Sequence, residues 1–374
     1  MTSVEARAVG ALYGLAIGDA LGMPTQSLPR TRIVELYGEV VDELHPAPDD
    51  QPLAAGMPAG SITDDTEQAI LLGRLVVEGN GLVDGHELAR RLLAWEDDMR
   101  ARGSLDLLGP STKRALDALL AGGDITQTGR FGTTNGAAMR ITPVGIATAS
   151  GDLPTLIDRV VAASAPTHNT GLALAAASAV AAAVSAGVDG ATVREATSAA
   201  VAAAREAASR GFWVAGADVS RRIEWATRAL AGSGGSGTPG PSGSGGGGSR
   251  ESADRGGTAD TRASAGRSGD GEAGPEAGAA AAVLYELVGT SLAAQESVPA
   301  AFAVANGFGE PWMVVRVAAS VGGDTDTIAA IAGAVVGACH GVDGFPADVR
   351  RTVSAVNGLD LESLAGELLK VRRG

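Results

Sequence analysis

Apolar residues recur at helical spacing along most of this chain, separated by short polar or glycine-rich stretches. Such spacing favours α-helices rather than strands. The clearest predicted helices lie at residues 4–22, within 84–122 (two helices), and at 171–187, 191–209, 346–356 and 360–372. Residues 42–60 are acidic, rich in proline and without periodicity, so we interpret them as a surface loop.

The polar–apolar boundary near residue 324 is the most informative one in the chain. Two glycines lead into Asp-Thr-Asp-Thr, and a long run of small apolar residues follows up to Gly341, which predicts a buried helix from about Asp326. One capping residue is enough for a helix start, yet Asp324, Asp326 and Thr327 bring three oxygen-bearing side chains there. Crowded carboxylates resist burial unless a cation compensates them. The stretch is either an over-capped helix start or half of a Mg²⁺ or Mn²⁺ site.

A second helix start repeats this pattern at residues 60–79. Thr63, Asp64 and Asp65 precede an apolar segment with helical spacing. The two starts are either independently capped helices or two halves of one site. We favour the second interpretation, because six oxygen-bearing side chains match the needs of one or two octahedral hard cations, with water completing the shell.

Three further polar features stand among small or apolar residues. Asn135 and Arg140 flank a glycine-rich turn within residues 129–146 and can bind polar or phosphate groups, although an ordinary loop is equally compatible. His168 precedes an alanine-rich helix, where a satisfied packing role is more common than a ligand role. Asp19 lies on the first apolar helix, as a structural cap or as part of an active site.

Residues 232–278 break the helical pattern with a glycine- and serine-rich composition. Without apolar periodicity they predict a disordered insertion. Because helical spacing resumes from Ala279, we interpret the insertion as a loop inside a single domain that spans residues 1–374.

Composition narrows the class of protein. Hydrophobic residues make up 45% of the chain and aromatic residues only 3%, so small aliphatic side chains have to fill the core between closely packed helices. A net charge of −14 argues against broad nucleic-acid binding or an anionic membrane partner. The single cysteine fits a reducing compartment, and no secretory leader or clear membrane span is evident. We therefore expect a cytoplasmic protein.

Five motifs together resemble the ADP-ribosylglycohydrolase family. They occur in that family's order, and the similarity extends from residue 8 to about residue 341 apart from the insertion. The motifs are GLAIGDALG (14–22), GSITDDTEQA (60–69), TTNGAAMRITPVG (133–145), THNT (167–170) and VGGDTDTIAAIAGAVVGA (321–338). The resemblance implies an all-α orthogonal helical bundle that holds two Mg²⁺ or Mn²⁺ ions between its helices.

The resemblance also implies roles for individual residues. The metal ligands would be Thr63, Asp64, Asp65, Asp324, Asp326 and Thr327, with Asp64 or Asp65 orienting or deprotonating the attacking water. The ADP-ribose cleft would be lined by Asn135, Gly136, Met139, Arg140 and His168. The implied reaction is metal-dependent hydrolysis of the glycosidic bond at ribose C1″, through a transition state with oxocarbenium character.

Two departures from the family pattern bear on the substrate. Many relatives carry a Glu, as ligand or acid/base, where this chain has Gln26, and an amide binds ligands but takes no proton. Some relatives carry an Asp where this chain has Leu107, next to Asp106. Three functions compete, and we favour the first. They are metal-dependent hydrolysis of an ADP-ribosylated protein, nucleobase or small metabolite, cleavage of a small nucleoside or ADP-ribose-like metabolite, and the role of a non-catalytic metal- or nucleotide-binding member. The complete Asp and Thr sets argue against the third.

Overall fold

The structure is a computed structural model that describes residues 2–103, 108–233 and 273–374. These residues form helices joined by turns, which confirms the predicted all-α class. The helices are α1 Val4–Gly22, α2 Arg30–Tyr37, α3 Asp64–Glu78, α4 Gly85–Ala101, α5 Pro110–Leu120, α6 Ile125–Thr128, α7 Gly136–Arg140, α8 Thr142–Ile146, α9 Leu153–Ser164, α10 Gly171–Val188, α11 Val193–Ala207, α12 Val219–Ser233, α13 Ala273–Val283 (continued by a π-helical turn, Leu284–Val288), α14 Ala294–Gly307, α15 Pro311–Ala318, α16 Thr325–His340 (followed by a 3₁₀ turn, Val342–Gly344), α17 Ala347–Asn357 and α18 Leu361–Arg373.

Helices α1 and α16 pack antiparallel along rows of small residues, with their backbones in direct contact. A Cβ atom built on Gly14 would lie 2.0 Å from the carbonyl oxygen of Gly333, and one built on Gly18 would lie 2.0 Å from that of Ala329. The two backbones therefore touch directly, which glycine allows because it has no side chain. At the end of this row, Gly22 meets the backbone of Asp326. The pair thus brings the end of α1 against the start of α16.

Alanine and valine fill the core around this pair, as the composition predicts. Helix α10 is buried along almost its whole length and packs against α11, α16 and the short helices α7 and α8. By length and apolarity alone α10 could cross a membrane, but 89% of it is buried inside the protein. Such burial is typical of the core helix of a globular fold.

The structure corrects three of the expectations about stretches predicted to be non-helical. The predicted insertion is too long at both ends, because α12 continues to Ser233 and α13 begins at Ala273; residues 234–272 lie outside the described part of the chain. The glycine-rich stretch 129–146 is more ordered than a turn, since it contains α7 and α8. Residues 42–60 are not simply a surface loop, because Ala47, Gln51 and Ala54 are buried.

Candidate functional site

A cavity of about 280 Å³ lies where the starts of α3, α7 and α16 come together. Polar side chains from all three helix starts face it, and apolar residues close the remaining sides. The lining residues are Gln26, Ser27, Leu53, Asp64, Leu108, Gly109, Pro110, Thr112, Thr134, Asn135, Gly136, Met139, Leu292, Asp324, Asp326 and Thr327. Eight of the residues singled out from the sequence are therefore on its wall.

The start of α3 is anchored by Asp19, which reaches across from α1. Its buried carboxylate accepts hydrogen bonds from the backbone N–H of Thr63 (3.0 Å) and Thr66 (3.1 Å) and from both threonine hydroxyls. The carboxylate thereby satisfies two of the backbone N–H groups that the helix start leaves open, together with two hydroxyl donors. Burial nevertheless raises the pKa of Asp19 to about 6, and the four bonds oppose that rise. Of the two interpretations of Asp19, the structure shows the cap.

A tight backbone turn sets the start of α16. Gly323 has a φ of +77°, and a Cβ atom there would lie 2.4 Å from the carbonyl oxygen of Thr290. The backbone N–H of Asp324 donates to that same carbonyl at 2.8 Å. The Asp324 carboxylate accepts from the side-chain amide of Asn135, which also donates to Ser297. Burial raises the pKa of Asp324 to about 6, and the Asn135 bond opposes this rise.

The two helix starts meet at Asp65 and Thr327. The Thr327 hydroxyl donates to Oδ2 of Asp65 at 3.2 Å, and both side chains are buried. Burial raises the pKa of Asp65 well above its ordinary value, and the neighbouring carboxyl groups of Asp326, Asp64, Asp19 and Asp324 raise it further. Carboxylates from two distant parts of the chain therefore share one poorly solvated region, as the sequence predicts.

Four predicted site residues stand behind the cavity wall rather than on it. Thr63 and Asp65 are buried beneath the start of α3. Arg140 and His168 are fully buried and contact other side chains instead of lining the cavity. Gly136 lines the cavity and makes room for the histidine, since a Cβ atom there would lie 3.0 Å from the imidazole Cε1 of His168. Leu107 and Asp106 lie outside the described residues.

Sequence reasoning missed Gln51, which holds one side of the cavity in place. Its amide N–H donates to the carbonyl oxygen of Gln26 at 2.9 Å, and its side-chain oxygen accepts from the backbone N–H groups of Leu53 and Ala54. Gln26 and Leu53 both line the cavity, so this buried side chain joins two wall segments. A lone Gln in an aperiodic, proline-rich stretch carries no local pattern that would reveal this role.

Comparison with known proteins agrees with the motifs. The model of the ADP-ribosylglycohydrolase family matches residues 1–374. The chain belongs to the ADP-ribosylglycohydrolase family. A solved structure described as an ADP-ribosylglycohydrolase-related protein complex has a TM-score of 0.64 and 22% identity, with 100% of each chain covered, which shows that the fold is shared.

Proteins with similar sequences differ in how much of the chain they match. The uncharacterized protein YegU of Escherichia coli (strain K12) is 32% identical over 98% of this chain and 97% of its own length. The ADP-ribosyl-dinitrogen reductase glycohydrolase of Rhodospirillum rubrum is 32% identical over 46% of this chain and 55% of its own. The ADP-ribosylarginine hydrolase Tri1 of Pseudomonas putida (strain GB-1) is 33% identical over 37% and 36%.

The cations that the ADP-ribosylglycohydrolase family implies can be tested against the donor atoms present. Carboxylate and hydroxyl oxygens are suitable ligands for Mg²⁺ and Mn²⁺. Oδ1 of Asp65 is buried without a hydrogen-bond partner among the described residues, an arrangement that a cation would relieve. Over that same part of the chain, no group of three or more His, Cys, Asp or Glu forms a preassembled metal cluster. The residues present therefore fit Mg²⁺ or Mn²⁺ by the type of their donor atoms and by their burial.

Proposed function

We propose that this protein is a Mg²⁺- or Mn²⁺-dependent hydrolase that cleaves the glycosidic bond at ribose C1″ of ADP-ribosylated substrates. The observation that carries the proposal is the meeting of two acidic helix starts at one cavity, joined by the Asp65–Thr327 hydrogen bond. Family membership supports hydrolysis of an ADP-ribosyl linkage. The names of the Rhodospirillum and Pseudomonas relatives favour an ADP-ribosylated protein as substrate.

The side chains at the cavity have two proposed roles: some would bind the cations or the substrate, and others would act on the attacking water. The proposed cation ligands are Thr63, Asp64, Asp65, Asp324, Asp326 and Thr327. Bound divalent cations would supply Lewis acidity and fix the ribose hydroxyls for reaction. Asp64, which faces the cavity, would orient or deprotonate the attacking water, with Asp65 behind it. Asn135, Gly136 and Met139 lie on the wall that would bind the rest of the substrate.

Paired substitutions test whether the two helix starts share a site. Asp64→Asn/Asp65→Asn and Asp324→Asn/Asp326→Asn should each abolish calorimetric binding of at least one Mn²⁺. Wild-type protein should unfold at a higher temperature in Mn²⁺, because a ligand that binds only the folded state stabilises it. Asp84→Asn is the control, since Asp84 caps α4 at an exposed position and should leave Mn²⁺ binding unchanged. Wild-type protein that neither binds Mn²⁺ nor gains thermal stability would refute the metal site.

A hydrolysis screen tests the reaction. Wild-type protein with Mg²⁺ or Mn²⁺ would be assayed on ADP-ribosyl-arginine, ADP-ribosyl-serine, O-acetyl-ADP-ribose, ADP-ribosylated nucleobases and plain nucleosides. We expect release of ADP-ribose from at least one ADP-ribosylated compound, and loss of that activity in Asp64→Asn. Turnover of nucleosides alone would favour a different substrate class.

The environment of Gln26 favours a second candidate function, cleavage of a small nucleoside or ADP-ribose-like metabolite. Its side chain lines the cavity, and Nε2 has no hydrogen-bond partner among the described residues. An unsatisfied amide N–H at this wall is suited to a neutral acceptor on the substrate. Gln26→Glu replaces that donor with a carboxylate and should slow turnover of the true substrate. A Gln26→Glu variant that is faster than wild type on ADP-ribosyl-protein would instead favour a weakened hydrolase of the ordinary family type.

A further inference from the structure

A chain of hydrogen-bonded side chains leaves the cavity wall at one residue and returns to it at another. Its two ends line the cavity, and its four inner members are at most 1% exposed. In order, the members are Asp64, Gln68, Arg140, Thr167, His168 and Thr134. Burying a guanidinium is costly unless its donors are used. The position of Arg140 in the middle of this series of hydrogen-bonded side chains therefore needs an explanation beyond packing.

One arm of the chain runs from Arg140 to Asp64. Nη1 of Arg140 donates to the side-chain oxygen of Gln68 at 3.2 Å, and Nε2 of Gln68 donates to Oδ2 of Asp64 at 2.9 Å. A guanidinium only donates, so it draws the oxygen of the Gln68 amide to itself. The N–H of that amide is thereby turned toward Asp64. Asn135 supplies the equivalent amide N–H to Asp324 at the other helix start.

The other arm runs from Arg140 to Thr134. Nη2 of Arg140 donates to the Thr167 hydroxyl at 2.6 Å. The hydrogen of that hydroxyl has a nearer acceptor in Nδ1 of His168 (2.8 Å) than in the Ser164 carbonyl (3.4 Å). Burial, and secondarily the charge of Arg140, lower the pKa of His168 well below its usual range, so its ring is neutral. The ring proton then lies on Nε2, which donates to Thr134 at 2.9 Å.

We propose that Arg140 is a positioning residue that fixes the direction of both arms, holding an amide donor on Asp64 and leaving the Thr134 hydroxyl to donate to an acceptor oxygen of the ligand. This role rests on the proposed function. It differs from direct contact of Arg140 and His168 with the ligand, because both are buried behind the wall. Lysine cannot replace the fork of the guanidinium, which serves both arms at once.

Binding measurements on single variants separate the two arms. Gln68→Met removes the donor on Asp64 and should weaken Mn²⁺ binding about 10-fold or more, as for other groups that orient metal ligands. Thr134→Val should weaken binding of ADP-ribose about 5-fold, the value of one hydrogen bond, with Mn²⁺ binding unchanged. Arg140→Lys should weaken both. Thr142→Val is the matched control, because its buried hydroxyl has no partner among the described residues and stands outside the chain of contacts.

The separate effects of these variants on Mn²⁺ binding and on ADP-ribose binding distinguish positioning from a merely structural role. A structural role would lower the unfolding temperature of each variant while the folded protein bound Mn²⁺ and ADP-ribose as the wild type does, and that result would overturn the proposal. Wild-type protein that bound no Mn²⁺ would overturn the proposed metal site and the role toward Asp64 together. If Arg140→Lys does not fold, the single-arm variants Gln68→Met and Thr134→Val still decide the outcome.

Nitrogen-15 NMR of the imidazole tests the direction of the second arm without any ligand. We expect His168 in the neutral form protonated on Nε2, with its resonances identified by their loss in His168→Gln. Thr167→Val should change the Nδ1 shift, because it removes the hydrogen bond to that nitrogen. A proton found on Nδ1 in wild-type protein would overturn the inferred direction of this arm.

Discussion

The starts of α3 and α16 carry similar residues but are held by different means. At α3 the backbone N–H groups of Thr63 and Thr66 are bound by a side chain from another helix, the carboxylate of Asp19. At α16 the chain enters through Gly322 and Gly323 with positive φ, and the backbone N–H of Asp324 is bound by the Thr290 carbonyl. The first start is thus positioned by a side-chain carboxylate and the second by backbone geometry. Similar local chemistry does not imply similar means of support.

The difference matters because the first arrangement depends on a buried charge. Asp19 brings another carboxyl group into a region that already holds Asp64, Asp65, Asp324 and Asp326, and it is among the groups that raise the pKa of Asp65. The α16 start gains its support from neutral backbone groups and from Asn135. Substitutions at the two supports should therefore lower the free energy of unfolding for different reasons and by different amounts.

The largest effect is expected from Asp19→Ala. The change leaves four donors at the start of α3 without their acceptor, and we expect the free energy of unfolding to fall by about 3–5 kcal/mol. Urea unfolding measures this loss. Asp360→Ala is the control, since it removes an exposed cap of α18 with a single bond and should cost about 1 kcal/mol. Equal losses for the two variants would show that Asp19 is an ordinary cap.

A smaller effect is expected at the α16 start from Gly323→Ala. The substitution forces a side chain onto a residue with φ +77° and against the Thr290 carbonyl, which should cost about 2–3 kcal/mol. Gly366→Ala in α18 is the matched control. A Cβ atom at that position meets nothing within 4 Å, so the substitution should stabilise the helix by about 0.5–1 kcal/mol. Thermal unfolding of both variants gives the comparison. A neutral Gly323→Ala would mean that the turn tolerates another backbone conformation.

The smallest effect concerns the segment that connects the two regions. After α1 the backbone N–H of Ser27 donates to the Gly323 carbonyl, while Gln51 binds the carbonyl oxygen of Gln26. Gln51→Met loses both the donor to Gln26 and the acceptor for Leu53 and Ala54 without burying a charge, so the free energy of unfolding should fall by about 1–2 kcal/mol. Urea unfolding measures this loss. A loss as large as that of Asp19→Ala would show that this link, and not the α3 cap, is the main support of the site.

Local patterns were enough to predict most of the helices and both acidic helix starts. Spacing and capping are properties of neighbouring residues, so the helices at 4–22, 171–188 and 325–340 are found within a residue or two of their predicted limits. Short helices were missed where the pattern is too brief, as at Gly136–Arg140 within a glycine-rich stretch. The predicted insertion was too long because the first turns of α13 lie in a sequence rich in Gly, Ala and Pro.

The sequence by itself determined the helical class and, through its motifs, the family and the residue types available at the site. Only the tertiary structure decided which side chains reach the cavity. Arg140 and His168 lie buried behind its wall, Gln51 supports it from a stretch without periodicity, and Asp19 caps a helix 44 residues further along the chain. The physical reason is that side-chain direction depends on which backbones come into contact. Here that contact is set by the glycine rows of α1 and α16, whose effect appears only when the two helices pack.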